Sequence, residues 1–488
     1  AGSTTFCQGG NVVINANTGT GLTYQWRNAA GNISGATNAS FTASTSGAYK
    51  VVVSNANGCV DSSSAVSVTV VPSIAGNSIS SSQSILINTV PAPLNGSIPT
   101  GGTGTYTYSW LVSITDGTSG FSAISSTNTQ GYSPGVLSQN TWYRRLVTSG
   151  SCSDTTAALS ITVNANIANN TISSPQTICS GTTPAGLTGL IPVGGTGSFT
   201  YTWLSSTTSA SSGYSAAAGI NNTQNYTPGV LNQTTWYRRY VVSGVASDTS
   251  AAIQITVNPV ITSNTAGSNQ SVCTGFVPTT LLGSTPSGGS GIYTYSWLSS
   301  TSGATTGFAL AGGTNNTQTY SPSLLSASTW YRRLVSSGGC TDTSVAVSVT
   351  VNPLPSATAT AAGSTTFCQG GNVVINANTG TGLTYQWRNA AGNISGATNA
   401  SFTASTSGAY KVVVSNANGC VDSSSAVSVT VNPLPSATAT AAGSTTFCQG
   451  GNVVINANTG TGLTYQWRNA AGNISGATNA SFTASTSG

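Results

Sequence analysis

The sequence predicts an all-β chain, built as a tandem array of β-sandwich domains, and three observations carry that expectation. Apolar and polar residues alternate with period two in short runs such as "NVVINA" (11–16) and "YKVVVS" (49–54), the pattern of strands with one buried face. Turn-forming stretches such as "NANG" and "TSG" separate these runs at intervals of about 8 to 12 residues, the rhythm of a sandwich. The chain also repeats itself. Residues 1–70 recur letter for letter at 362–431, and 442–488 copy positions 1–47. Three longer, diverged units lie between, and similar endings place the closures at Val70, Val163, Val257, Val351 and Val431.

Six units follow from that periodicity. They are a short one at 1–72, three long ones at 73–165, 166–259 and 260–353, and short ones at 354–433 and 434–488. The sixth stops at Gly488, the equivalent of Gly47, before two expected strands. With no methionine in the chain, this reads as a window on a longer multi-repeat protein.

In the short unit, "NVVINA" puts Val12, Ile14 and Ala16 on one face, and "LTYQW" follows with Tyr24 and Trp26. "SFTAS" is a short strand. "TSGAYKVVVSN" sets Tyr49, Val51 and Val53 on one face, and "AVSVTV" closes the unit. This order resembles the immunoglobulin fold. Trp26 takes the place of the strand-C tryptophan, and Tyr49 that of the corner tyrosine before strand F, with Thr45 where aspartate is usual. The usual core cysteines map near Ala16 and Val51, so the cysteines present have another task. The long units keep the plan. "YTYSW", "FTYTW" and "TWYRR" supply Trp110 with Tyr143, Trp203 with Tyr237 and Trp297 with Tyr331 as core pairs. Trp387 with Tyr410 repeats the short-unit pair.

Units carrying "TICSGTTPAGL", "TWYRRLVTSGSCSDT" and "NANGC" resemble the Ig-like repeats of Bacteroidota cell-surface proteins, gliding-motility adhesins among them, over essentially the whole chain. That resemblance implies an extracellular, cell-surface protein exported by type IX secretion. "DTT" at 154–156 matches the O-glycosylation pattern of that phylum, with Thr155 as acceptor.

Nine cysteines without a single histidine suit disulfides in an oxidising compartment better than a metal site. Each complete unit has two cysteine places, and the sixth ends before its second. One precedes strand B: Cys7, Leu86, Cys179, Cys273, Cys368 and Cys448. The other follows the F–G turn: Cys59, Cys152, Ala246, Cys340 and Cys420. Pairing within units strands Cys152 and Cys179. Pairing each second cysteine with the first of the next unit strands Cys59 and Cys273. Pairing each first cysteine with the second of the following unit gives Cys7–Cys152, Cys179–Cys340 and Cys273–Cys420. The two vacated places, Leu86 and Ala246, then face each other, and Cys59, Cys368 and Cys448 have partners outside this stretch. Reach favours this staggered wiring. In an immunoglobulin-like sandwich the two places lie at opposite ends, roughly 20 Å apart, whereas disulfide Cα atoms approach within about 7 Å. Pairing within units, the commoner arrangement, stays open. A staggered wiring clamps the junctions and leaves the one between the second and third units, lacking its bond, as the weak point.

Catalysis and cofactor binding lack their parts. There is no histidine to act as general base, and only six acidic residues are present. Asp61, Asp154, Asp248, Asp342 and Asp422 occur once per complete unit, too far apart to pair or to hold a metal. They read as cross-strand ion-pair partners, Arg144 with Asp154 and Lys50 with Asp61. In each "WYRR" strand the adjacent arginines point to opposite faces, one of them available to stack on a tryptophan. The net charge of +5 is scattered rather than gathered into a nucleic-acid patch, and no apolar run is long enough to span a membrane. Two functions remain. The chain is a non-catalytic structural region of a bacterial extracellular filament or stalk, with further repeats as partners and scope for lateral self-association. Alternatively, it is an adhesin whose repeats bind glycans or surfaces through exposed aromatics.

Overall fold

A computed structural model describes residues 2–173 and 175–488, and all regular structure among them is strand. The chain forms two compact units. One comprises 1–260 with 288–292 and 337–340; the other comprises 261–287, 293–336 and 341–488.

The first repeat contains β1 (Thr5–Cys7), β2 (Val12–Asn15), β3 (Thr23–Asn28), β4 (Gly31–Asn32), β5 (Ser40–Ala43), β6 (Gly47–Ser54), β7 (Val60–Ser62) and β8 (Val66–Val71). One sheet runs β1-β8-β6-β3-β4, with β7 also on β6; β2 and β5 make the facing sheet. β1 lies parallel to β8, Cys7 beside Val71. The alternation seen in the sequence is the alternation of burial. Val12, Ile14, Trp26, Ala43, Tyr49, Val51 and Val68 form the core. The hydroxyl of Tyr49 donates to the Thr45 carbonyl at 2.9 Å, so threonine completes the tyrosine corner.

The long repeat that follows has β9 (Gln83–Leu86), β10 (Thr107–Ser113), β11 (Ser122–Ala123), β12 (Thr141–Ser149), β13 (Cys152–Thr155) and β14 (Leu159–Ala168). Its main sheet keeps the order β11-β10-β12-β14, with β9 parallel to β14. The facing layer is held by single bridges rather than ladders, among them Leu94 with Tyr132 and Thr89 with Leu137. The same plan recurs in the next two repeats, with main strands at Thr200–Ser206, Thr235–Ser243 and Ile253–Asn258, then Thr294–Ser300, Thr329–Ser337 and Val347–Asn352. The fifth repeat gains a three-stranded facing sheet from Ala359–Ala361, Val373–Ala377 and Ser401–Ala404. In the sixth, Ala439–Ala441, Val453–Ala457 and Ser481–Ala484 pair likewise.

The tryptophan–tyrosine pairs named from the sequence are all core residues, and each is bridged by a third ring. Trp26–Phe41–Tyr49 and Trp387–Phe402–Tyr410 are the short-repeat stacks. Trp110–Tyr132–Tyr143, Trp203–Tyr226–Tyr237 and Trp297–Tyr320–Tyr331 are the long-repeat ones. Centroids lie between 5.2 and 5.8 Å apart, the range in which ring pairs attract beyond mere burial. The stack occupies the middle of a sandwich that has no core disulfide.

Burial pushes the hydroxyls of Tyr143, Tyr237 and Tyr331 up to about 12 from their usual 10, helped by the neighbouring Tyr132, Tyr226 and Tyr320. Folding therefore holds each of these protons more tightly than the unfolded chain does. That contribution is whole below pH 10 and is lost as pH climbs towards 12. The expected result is alkaline unfolding of the long repeats in this window, at about 2–3 kcal/mol per tyrosine. Tyrosinate absorbance should rise in two phases, the second coinciding with loss of the β-sheet circular-dichroism signal.

The "WYRR" strands differ from expectation in an instructive way. Arg145, Arg239 and Arg333 point inward and are fully buried. Arg239 donates from Nε to Asn170 Oδ1 (2.9 Å), from Nη1 to the Gln224 carbonyl (2.9 Å) and from Nη2 to the Leu190 carbonyl (2.7 Å). Its guanidinium lies 5.2 Å from the Tyr201 ring, and burial pulls its pKa below the usual arginine value. The outward arginines stack on Phe121, Tyr214 and Phe308, not on tryptophan. The ion pairs named from the sequence are also displaced. Asp154 stands opposite Val147 and Asp61 opposite Val53, because each turn is centred further along the chain than the sequence spacing implied. In the third and fourth repeats the aspartate acts at one remove. Asn170 Nδ2 donates to Asp248 Oδ2, and Asn264 Nδ2 to Asp342 Oδ2, each at 2.9 Å, so asparagine relays the carboxylate to the buried arginine.

Candidate functional site: the repeat junctions

The parallel pairing of β1 with β8 brings Cys7 to the end where the chain leaves the first repeat. The turn after it closes through Gly10 N–H to the Cys7 carbonyl (2.9 Å), with Gly9 at φ +92°, a left-handed value that glycine adopts freely. At the leading end of the second repeat, β12 and β13 form a two-residue hairpin in which Ser149 faces Cys152. Gly150 takes φ +60° at its first central position, which suits the tight turns favoured between twisted strands. In the fourth repeat the same turn is Gly338 and Gly339, at φ +55° and +83°.

Three disulfides cross from one repeat to the next. Cys7 is joined to Cys152, Cys179 to Cys340 and Cys273 to Cys420, with Cα separations of 5.0, 4.8 and 5.6 Å. The later partner is buried in each case. Around the first bond Val71, Ile74, Val147 and Cys152 form a small apolar cluster of their own, with Cys7, Tyr106 and Tyr108 at its margin. Cys59, Cys368 and Cys448 are free and exposed. Leu86 is half-buried at the end of β9, beside Asn164, and Ala246 is buried where the strand Ala246–Thr249 begins, against β14. Both vacated places thus lie at one junction.

Polar ties and glycines complete the junctions. Gly102 N–H donates to the Pro72 carbonyl (2.8 Å) and Gly289 N–H to the Pro259 carbonyl (2.8 Å). Asn258 Nδ2 donates to the Gly338 carbonyl at 2.6 Å. In the "NANGC" turn of the fifth repeat, Asn416 Oδ1 accepts the Cys420 N–H while its Nδ2 reaches the Pro353 carbonyl of the preceding linker, both at 3.0 Å. Sequence reasoning missed the motif that lets the linker approach, "GGTG" at 101–104 and 194–197 and "GGSG" at 288–291. Its recurrence at one place in each long repeat was the available signal. A Cβ on Gly101 would stand 2.0 Å from the Ser73 carbonyl oxygen, and Gly101 has φ +83°. Gly101→Ala is therefore expected to loosen the first junction by about 1–3 kcal/mol. Faster amide exchange at 73–75, with the Trp110 core unchanged, is the readout.

Thr155 is exposed on β13, with its neighbour Thr156 buried. Among the described residues no group of three or more Cys or Asp side chains is placed to hold a metal ion.

Residues 75–165, 168–259 and 262–353 each match the family described as a domain of unknown function (DUF8696). The chain belongs to that family. Its DUF8696 domains are followed at 355–433 by a match to the Ig-like domain described as CHU_C associated. Residues 1–70 are identical to part of that segment, so the first repeat is Ig-like as well. Neither family carries a catalytic description. No curated protein matches the chain. Among solved structures it is similar to Sidekick-1 immunoglobulin domains 1–5, at 11% identity over 88% of this chain and 97% of that one, with a TM-score of 0.22. It is similar also to titin domains I67–I69 in an E-to-A variant, at 10% identity over 57% and 98%, TM-score 0.35. Drosophila OTK extracellular domains 3–5 match at 12% identity over 52% and 93%, TM-score 0.26.

Proposed function

We propose that this chain is a non-catalytic structural region of a bacterial extracellular filament or surface stalk, stiffened by disulfides between successive domains. The observation that carries the reading is the staggered set of bonds, Cys7–Cys152, Cys179–Cys340 and Cys273–Cys420. A linker between domains ordinarily hinges. A linker plus a disulfide gives two covalent ties, and the apolar cluster at Val71, Ile74 and Val147 adds a third point of support. Three such supports remove the free hinge. In this reading Cys59, Cys368 and Cys448 bond to further repeats of the same protein, and chains associate laterally.

Structural disulfides persist in oxidising compartments, which supports a place outside the cytoplasm. The resemblance of the repeat motifs to Bacteroidota surface proteins extends the proposal to type IX export and to a gliding-motility or adhesive apparatus. Direct glycan binding has less support, because the tryptophans of the "WYRR" strands, Trp142, Trp236 and Trp330, are half-buried rather than open platforms. The deciding experiment is disulfide mapping by mass spectrometry on unreduced protein. A Cys7–Cys152 crosslinked peptide is the expected result. A Cys7–Cys59 peptide would leave separately stapled beads on hinged linkers and end the stalk reading.

A further inference from the structure

Aligned on the closing strands, Pro72, Ala165, Pro259 and Pro353 hold one place in the linkers. At the first and third junctions the Pro72 and Pro259 carbonyls accept the main-chain N–H of Gly102 and Gly289, each at 2.8 Å. The linker then pairs again, Ala75 with Thr100 and Thr262 with Ser287. The second junction, expected from the sequence to be the weak point, is paired likewise, Ala165 with Gly195 and Ala168 with Val193. Gly102, Gly195 and Gly289 each stand eight residues before a core tryptophan, with φ between +56° and +64°. A Cβ there would collide with the serine beneath, Ser149, Ser243 or Ser337. The fourth junction breaks the pattern. Eight residues before Trp387 stands Thr379, and among the described residues no main-chain pairing joins it to the linker. The Pro353 carbonyl accepts instead from the side-chain Nδ2 of Asn416 (3.0 Å). Among the described residues Leu354, Pro355, Ser356 and Ala357 make no hydrogen bond, and the next tie is Thr358 N–H to Asn378 Oδ1 (3.0 Å). Pro353 and Pro355 fix their own φ and restrict the residue before them, so free rotation falls on Ser356 and Ala357. Asn416 and Cys420 lie in one turn, closed by Asn416 N–H to the Cys420 carbonyl (3.0 Å). The side-chain bond to Pro353 and the disulfide to Cys273 therefore pass through the same turn.

We infer that the entry to the fifth repeat is a hinge latched by the Cys273–Cys420 bond, which reduction releases, while the three junctions before it stay closed through main-chain pairing. This rests on the reading that disulfides restrain the junctions, and it names the junction at which that restraint is decisive. A dithiol reductant gives two electrons and two protons to the S–S bond, leaving the two protein thiols and an oxidised, cyclised reductant. The turn is then held to Pro353 by one side-chain hydrogen bond that is open to water, and water competes for both partners. Main-chain pairing at the other three junctions is indifferent to redox state.

The test is limited proteolysis of the full chain, oxidised and in dithiothreitol, with a protease that cuts after small residues, the cuts being mapped by mass spectrometry. Reduction is expected to speed cleavage at 356–358 about tenfold or more, and to change cleavage at 73–76, 165–168 and 260–263 by less than about threefold. Cys273→Ser with Cys420→Ser should give the fast cleavage at 356–358 without reductant, and no further gain with it. A double-serine chain cut there no faster than the parent overturns the inference. Equal or greater acceleration at 73–76 and 260–263 also overturns it, and leaves disulfide stiffening standing. Acceleration at none of the linkers ends both.

Discussion

Arg239→Met is expected to unfold the third repeat while leaving its neighbours folded. The guanidinium is fully buried and serves three acceptors on three separate segments, Asn170, Leu190 and Gln224. Methionine fills much of the volume but donates nothing. Each stranded acceptor costs about 1–3 kcal/mol, and breaking buried charged networks typically costs about 3–5 kcal/mol in all, a large share of a domain's stability. Lysine keeps the charge but offers a point rather than a planar fork, so Arg239→Lys should recover only part of the loss. Gly189→Ala attacks the same place from outside, because its Cβ would stand 1.9 Å from Nη1. The second and fourth repeats carry the same arrangement at Arg145 and Arg333 and serve as internal controls in the one molecule. Pulse proteolysis in urea followed by peptide mapping gives the readout. Equal resistance of all three repeats in the Arg239→Met chain would show that the buried cation is a passenger.

How much of this was legible in the sequence depends on the length over which each signal acts. Alternation and turn residues are local, and they gave the strands and the inward Trp26 and Tyr49. Period two also separated Arg144 from Arg145, but it is silent on what waits beneath the sheet. The partner of Arg145 is Asn77, on a segment 68 residues earlier, and no local pattern marks one asparagine among so many. The third ring of each stack was readable in principle, since it holds a constant place before the core tyrosine within each repeat type, eight residues ahead at Phe41 and Phe402 and eleven ahead at Tyr132, Tyr226 and Tyr320. The cysteine places were readable because cysteine is scarce and its losses can be matched.

Oxidation is expected to shorten the chain, pulled end to end, to about one third of its reduced contour length. The three bonds enclose separations of 145, 161 and 147 residues, and force follows the shortest covalent route. That route enters at Cys7, crosses to Cys152, runs along the chain to Cys179 and crosses to Cys340. It then doubles back to Cys273 before crossing to Cys420, because the second and third loops overlap between 273 and 340. With roughly 3.5 Å per extended residue, the reduced chain reaches about 1,700 Å and the oxidised one about 600 Å. The backward segment is the distinctive part, since it makes the residues between Cys273 and Cys340 bear load in reverse. The serine variants separate the bonds. Cys7→Ser with Cys152→Ser should restore the length of one loop, about 500 Å at the same rise. Chain-entropy arguments assign a loop of this size about 5 kcal/mol of stabilisation against global unfolding, at the upper end of what such bonds deliver. The same variants should therefore lower the denaturant midpoint of the first two repeats. Single-molecule force spectroscopy with and without dithiothreitol measures the lengths directly. An oxidised chain that extends to the full 1,700 Å would mean that force meets no shortcut, and the junctions would then have to be held, if at all, by the ties that reduction leaves in place.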